Sequence, residues 1–402
     1  MGFFNGKQRA TRLGLVLAAL YTVSYLTRVN FAAIISEMEQ ATGFSREMLS
    51  LSLSGSAITY GIGQILSGAT ADRISPKRLI SVGLLITGIM NILLPFCDSP
   101  TLMLCVWCVN GFAQSMMWPP IVKMMTEMLE DEEYKRASVI VSWGSSVGTI
   151  LVYLTAPVII SLLSWKWVFR VSGIIALLVL LIWQKFPQVT VMGGKSIHRE
   201  KGNRKLLFTP VMLGIMLAII LQGMLRDGVT TWLPSYIQQI YQWDTAVSIL
   251  TAVILPIFSI ISFQIAAALY RRIMGNPLFC AGVFFVVGVV FAGVLYVVTG
   301  QNAPLSVLSA AMLTGAMHGV NLMLITMVPP FFRKWGLTGT ASGVLNSCTY
   351  IGSAVFTYGV AALSAAWGWK ITVLIWLAIA LMGGAVCFFC VRGFKKQFMV
   401  ID

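Results

Sequence analysis

Residues Gln184–Lys205, QKFPQVTVMGGKSIHREKGNRK, form the longest polar stretch of a 402-residue chain and stand near its middle. What surrounds them is apolar. The chain is 57% hydrophobic and only 10% charged, with a mean hydropathy of +0.84, whereas charged residues make up about a quarter of a soluble domain. About 20 helical residues cross the hydrocarbon core of a bilayer. By that length, six apolar segments lie on each side of the polar stretch, at 12–36, 48–71, 78–97, 101–128, 136–161 and 166–185, then at 208–237, 246–270, 276–299, 303–331, 338–364 and 369–391. The expected fold is an all-α membrane protein of twelve transmembrane helices. It is divided into an N-terminal six-helix bundle (1–186), a linker (187–205) and a C-terminal six-helix bundle (206–402).

The first segment is too long for a removable signal peptide and lacks a small-residue cleavage site, so it is read as a span. The formal net charge of +14 reflects topology rather than nucleic-acid binding, because the lysines and arginines collect in alternate loops. One set holds clusters such as Arg73, Lys77 and Arg78, while the other holds only Arg46, Lys166 and Lys370. The positive-inside rule then places both termini in the cytoplasm. The short tails and loops point to a bacterial inner membrane, with the lipid bilayer as the surrounding partner. The seven cysteines lie in or beside spans. CVWC and CFFC have redox-motif spacing without a βαβ context, so packing is the better reading than metal or disulfide. No cofactor is expected.

The halves repeat. DRISP at 72–76 returns as RRIMGNP at 271–277. ASVIVSWGSSVG at 137–148 returns as ASGVLNSCTYIG at 341–352, and Trp165-Lys166 returns as Trp369-Lys370 at the same separation. Two parallel six-span repeats define a major facilitator architecture, in which substrate binds near the midplane. WPP at 118–120 and VPP at 328–330 fall at comparable places in the fourth and tenth segments, where proline kinks a helix and frees backbone groups. Small residues such as Gly63 and Ser67 allow close helix contact.

Four cations fall inside spans: Arg28, Lys123, Arg170 and Arg226. A charge at the bilayer centre costs at least ~2.5 kcal/mol, so such residues are functional by default. Arg28, in YTVSYLTRVNFAAII (21–35), and Arg226, in LQGMLRDGVTTWLPSYI (221–237), hold similar positions in their halves. Two guanidinium groups facing one cavity repel unless an anion bridges them, and the planar fork of arginine suits phosphate or carboxylate. Arg170, close to the outer end of the sixth segment, is expected to snorkel, whereas Lys123, near the inner end of the fourth, is ambiguous between snorkelling and an inward role. Asp227 is the acid clearly inside a span. Successive helical residues point about 100° apart, so it is expected to turn away from the cavity of Arg226, where it would carry a coupling proton or neutralise local charge. His318 is the histidine within a span, and a lone helix histidine is more often a packing residue than a titrating one. The acidic run EMLEDEEYKR (127–136) is a solvated turn. No phosphate-cradling glycine loop with a following lysine, HExxH or exposed nucleophile motif is present, so the chain is not read as an enzyme.

YLTRVNFAAI, GFSREMLSLSLSGSAITYGIGQILSGATADRISPKRLI, WPPIVKMM and LRDGVTTWLPSYI together resemble the organophosphate:phosphate antiporters, the major facilitator family of bacterial glycerol-3-phosphate and hexose-phosphate transporters. The resemblance covers nearly the whole chain. It implies a secondary transporter that exchanges a small organic anion for inorganic phosphate by rocker-switch alternating access, with Arg28 and Arg226 on the phosphoryl group. It also implies that Tyr21 and Tyr25 line the cavity below Arg28, that Trp118 begins its wall in the fourth span and that Tyr350 faces it from the eleventh. For each aromatic, bundle packing is the competing reading. Asp72 and Arg73 match the gating loop of major facilitators, so Asp72→Asn is expected to slow interconversion with affinity nearly intact.

Where relatives carry a lysine after the first arginine, this chain has Val29. A lysine in the second span is replaced by Gln64, and a histidine in the fifth by Ser145. A less positive cavity admits a phosphonate, a sulfonate or a sugar acid, with Gln64, Ser145, Ser146 and Asn346 as hydrogen-bond partners and His318 a candidate for part of the missing histidine's role. Two other readings compete. A sialin-like organic-anion symporter shares the RVN context but has an acid where this chain has Thr27. A transporter-like sugar-phosphate sensor would sit beside a histidine kinase gene.

Overall fold

The computed structural model describes residues 6–185, 204–243, 251 and 253–399. Most of the expected linker and the start of the eighth expected span, 244–250 with 252, lie outside the described residues. Among the described residues there are thirteen α-helices. The first eight are α1 (Gly6–Ala33), α2 (Ile35–Thr42), α3 (Arg46–Ala71), α4 (Pro76–Leu93), α5 (Pro100–Gln114), α6 (Trp118–Met128), α7 (Asp131–Leu162) and α8 (Trp165–Lys185). They are followed by α9 (Pro210–Tyr241), α10 (Ile254–Leu269), α11 (Pro277–Val298), α12 (Ala303–Asn321) and α13 (Thr338–Phe394). Gly368 interrupts α13 with φ 77°, a left-handed conformation that costs glycine little, so α13 is two segments joined at a corner.

Nine helical stretches among the described residues are long and apolar enough to cross a membrane, against twelve expected segments. The three that fall short are 48–71, 101–128 and 338–364, and each has a physical reason. The fourth segment is broken. α5 ends at Gln114 and α6 starts afresh at Trp118 with prolines in its first turn, where a missing N–H costs nothing. The tenth, although it counts among the nine, also changes from α-helix to a π-helical turn at Leu322–Thr326 and a 3-10 turn at Pro329–Trp335. The second and eleventh segments are diluted by Ser, Thr and Gly, small residues that admit the close contact of α3 with the start of α13. Outward-facing side chains such as Leu154, Leu162 and Phe389 are 63%, 76% and 89% exposed, as an outer surface solvated by acyl chains requires.

Contacts divide the chain into two compact units, 1–202 with 332–347, and 203–331 with 348–402. In the first, α1 runs along α7 and α8, α3 along α5, and α4 along α8 and α5. Phe169 meets Phe31, Trp107 and Trp165 edge-on at the end of α1, and Phe31 stacks at a tilt on Trp107. Capping explains several helix starts. Ser45 and Ser99 accept from backbone N–H groups at the N-termini of α3 and α5, and Glu130 with Glu133 forms a capping box on α7, which absorbs the acidic run. The start of α13 packs on α3 through bare backbone. A Cβ on Gly343 would lie 2.1 Å from the Gln64 carbonyl oxygen, and Ser347 Oγ donates to the Gly61 carbonyl at 2.9 Å. Gly343→Ala is therefore expected to destabilise the protein by about 1–3 kcal/mol through overpacking, read as a lowered thermal midpoint in detergent.

In the second unit α12 packs on α9, α10 and α11. The hydroxyls of Tyr236 and Tyr241 share Ser306, and Trp369 donates to Gln239. The repeated Trp-Lys pair thus anchors an apolar cluster through Trp165 and a hydrogen-bonded one through Trp369.

Candidate functional site

In the first unit, Tyr21, Tyr25 and Arg28 follow one another at helical spacing and share a face of α1. The Arg28 guanidinium carbon sits 4.2 Å from the ring centroid of Tyr25 and 4.9 Å from that of Tyr60 on α3. Aromatic faces lower the cost of burying a cation. Tyr21 meets Tyr25 edge-on at 5.1 Å and Trp118 at 5.0 Å, and Trp118 reaches it because α6 begins at that residue. The indole Nε1 of Trp118 is buried and has no hydrogen-bond partner among the described residues. The structure thus brings Tyr21, Tyr25, Arg28 and Trp118 together. It adds Tyr60, which sequence reasoning missed because only the tertiary fold brings this residue of α3 within reach of the Arg28 side chain.

Gln64 lies one turn beyond Tyr60. It is fully buried, and its Nε2 faces the Ser115 carbonyl at the break between α5 and α6, while its Oε1 has no partner among the described residues. Ser145 is half-buried and donates to the Ser142 carbonyl of its own helix. Asn346 is buried near the start of α13.

In the second unit, Arg226 and Asp227 form a bidentate pair, Nε to Oδ1 at 2.7 Å and Nη2 to Oδ2 at 2.9 Å. Of the two roles expected for Asp227, a coupling proton or neutralisation of local charge, this geometry matches the second. The backbone directions do diverge, but the long arginine side chain folds back and places its fork on the carboxylate, the strongest neutral-pH pairing available to it. Asp227 also takes a hydrogen bond from Ser353, and His318 lies within electrostatic reach of both charges. The His318 ring stands edge-on to Phe263 at 5.5 Å. Tyr350 is half-buried on α13, one turn before Ser353.

Asp72 caps the start of α13. Its Oδ1 accepts from Gly339 N at 2.8 Å, and its Oδ2 from Thr340 N at 2.7 Å and Thr340 Oγ1 at 2.6 Å. A carboxylate is favoured at a helix N-terminus by unsatisfied N–H groups and the macrodipole. Burial pushes its carboxyl pKa above the ordinary value, and the bonds from Thr340 and Gly339, with the charge of Lys123, only partly offset this. Arg73 is exposed. Lys123, for which the sequence leaves snorkelling and an inward role open, stays inside. It is 7% exposed, donates Nζ to the Ala71 carbonyl at the end of α3, and approaches Glu127 at 3.6 Å. A cation at a helix C-terminus satisfies a carbonyl that has no intrahelical partner, so Lys123 steadies the helix end that presents Asp72. Arg170 packs its guanidinium on Phe96 and Trp167.

A family profile described as Major Facilitator Superfamily matches residues 17–357. Among curated relatives, the glycerol-3-phosphate transporter of Bacillus subtilis is 26% identical over 84% of this chain and 82% of its own length. A probable hexose phosphate transport protein of Chlamydia pneumoniae is 23% identical over 90% and 87%. The probable sulfoacetate transporter SauU of Cupriavidus necator is 24% identical over 85% and 84%. Among solved structures, the proton:xylose symporter XylE bound to 6-bromo-6-deoxy-D-glucose superposes with a TM-score of 0.77 at 14% identity, covering 98% of this chain and 97% of that one. That likeness concerns the fold. The chain belongs to the Major Facilitator Superfamily, a family of multi-pass membrane transporters and not of enzymes.

Proposed function

We propose that the chain is a secondary active transporter for a small organic anion, a phosphate ester or phosphonate, which it exchanges for inorganic phosphate by rocker-switch alternating access. The anion is ligated by Arg28 and Arg226 together. The observation that carries this reading is an arginine inside the first long helix of each unit, one on tyrosine faces and one on a carboxylate. Printed descriptions of relatives as glycerol-3-phosphate and probable hexose phosphate transporters support the substrate class. Both oxygens of Asp227 are engaged by one guanidinium, which supports a charge-neutralising role and hence exchange over proton symport. The transporter works as a monomer in the inner membrane of a bacterial cell with both termini in the cytoplasm.

The test uses proteoliposomes loaded with inorganic phosphate and given labelled glycerol 3-phosphate outside. Uptake is expected to depend on internal phosphate. Equal uptake into chloride-loaded vesicles driven by a proton gradient overturns exchange. A second reading, a sulfonate substrate, is favoured by the neutral Val29, Gln64 and Ser145 and by the relative described as a probable sulfoacetate transporter. Competition by sulfoacetate and not by glycerol 3-phosphate selects it.

Asp72 is the gate in this reading. Asp72→Asn removes the charge that three donors at the start of α13 share, and hydrogen bonds to a charged group contribute about 1.5–3 kcal/mol. Turnover in proteoliposomes is expected to fall several-fold with the half-saturating concentration little changed. Unchanged turnover removes Asp72 from the gate.

A further inference from the structure

Next to Arg28 lies a hydrogen-bonded lattice that has no role in the proposed transport reading so far. Ser24, Thr27 and Asn30 share a face of α1 different from the one that carries Tyr21, Tyr25 and Arg28, because the two sets are offset by helical geometry. With Asn91 of α4 and Asn110 and Gln114 of α5 they are at most 2% exposed. Ser24 Oγ donates to Gln114 Oε1, and Gln114 Nε2 donates to Thr27 Oγ1 at 2.7 Å. The Thr27 carbonyl accepts from both Asn91 Nδ2 and Asn110 Nδ2 at 3.1 Å. Asn30 Nδ2 donates to Asn91 Oδ1 at 2.8 Å, and Asn30 Oδ1 accepts from the Phe31 N–H.

Every member is neutral and partnered, so the lattice has no donor or acceptor to offer a ligand and is not itself a binding site. Buried networks of this kind rigidify a unique arrangement when fully satisfied. Its geometry is specific to the register of α1. A slip of one residue translates the helix by about 1.5 Å and turns it by about 100°, which would break the bonds to Thr27, Ser24 and Asn30 at once and leave buried polar groups unpaired. The same rotation would take Arg28 off Tyr25 and Tyr60.

We propose that Thr27 and Gln114 are positioning residues for Arg28. Through the bond from Gln114 to the Thr27 hydroxyl they fix the depth and rotation of α1, so that the guanidinium is aimed before the anion arrives. The affinity consequence rests on the two-arginine reading above; the positional consequence does not.

The test compares Thr27→Val, which keeps shape and removes the hydroxyl, with Thr27→Ser, which keeps the hydroxyl. Inorganic phosphate and glycerol 3-phosphate are titrated by thermal shift on the intact protein. In a second background, with the seven native cysteines replaced and Arg28→Cys introduced, the rate at which the new thiol reacts with a maleimide is measured for each Thr27 form. Thr27→Val is expected to weaken anion binding roughly tenfold, the loss that follows from about 1.4 kcal/mol of binding free energy. It is also expected to change the labelling rate severalfold, while Thr27→Ser restores both. Unaltered labelling in Thr27→Val overturns the proposal even if the melting temperature falls, since the residue is then merely structural. If the unsubstituted protein binds neither anion, the anion reading fails, and the labelling rate alone decides the positioning role. Should Thr27→Val not assemble, Gln114→Leu removes only the bonds to Ser24 and the Thr27 hydroxyl and is read the same way.

Discussion

Replacing either Arg28 or Arg226 by alanine is expected to abolish stabilisation by anions altogether. For the unsubstituted protein, a ligand present at a hundred times its dissociation constant raises stability by about 2.7 kcal/mol, so inorganic phosphate and glycerol 3-phosphate are expected to raise the thermal midpoint clearly. Neither anion is expected to raise that of Arg28→Ala or Arg226→Ala. The two losses have different origins. Arg28 is held on the faces of Tyr25 and Tyr60, so its removal deletes a cation from an aromatic setting. Arg226 is paired to Asp227 at 2.7 Å, so its removal also strands a carboxylate and lowers the baseline. Arg28→Lys is expected to fail as well, because an ammonium offers a point charge in place of a planar fork. Stabilisation retained in either alanine variant removes that arginine from the site. Stabilisation by carboxylates alone keeps the arginines and removes phosphate exchange.

Much of the scaffold was legible because membrane solvation writes itself into composition. A segment solvated by lipid must be apolar along its length, so the segments at 78–97, 136–161 and 276–299 are visible as unbroken runs. The segments that read less clearly are those that face protein. α3 carries Gly61, Gln64 and Gly68 because α13 lies against its backbone, and that contact joins residues nearly three hundred positions apart, which no local pattern encodes. The prolines at 119–120 and 329–330 signalled distortion, but not that α5 would end and α6 begin anew at Trp118. At the candidate site, a lone intramembrane arginine is a strong signal, so Arg28 and Arg226 stood out. Their partners depended on side-chain reach. Tyr60 arrives from another helix, Asp227 is met by a folded-back arginine, and Lys123 found a helix end rather than water. Backbone periodicity fixes the direction of Cα–Cβ bonds and leaves the last atoms of long side chains open.

The pairing of Arg226 with Asp227 yields the sharpest expected asymmetry between the halves. Asp227→Asn keeps the shape of the side chain and leaves the Arg226 charge uncompensated. Breaking a fully buried ion pair costs roughly 3–5 kcal/mol. The side chains here are 15% and 26% exposed, so the expected cost to the empty protein is about 3 kcal/mol or less. An anion that binds Arg226 takes over the neutralising role of the carboxylate. Phosphate is therefore expected to stabilise Asp227→Asn by more than it stabilises the unsubstituted protein, recovering most of the lost midpoint. Combining Asp227→Asn with Arg226→Ala removes both charges and is expected to leave the empty protein more stable than Asp227→Asn alone, a non-additivity that measures the pair directly. An unchanged baseline with an unchanged phosphate response would show that Asp227 does not compensate Arg226, and the carboxylate would then have to be reassigned to coupling. The predicted inversion, a weaker empty protein with a larger ligand response, follows from one fact: the guanidinium that is proposed to hold the anion already holds a carboxylate.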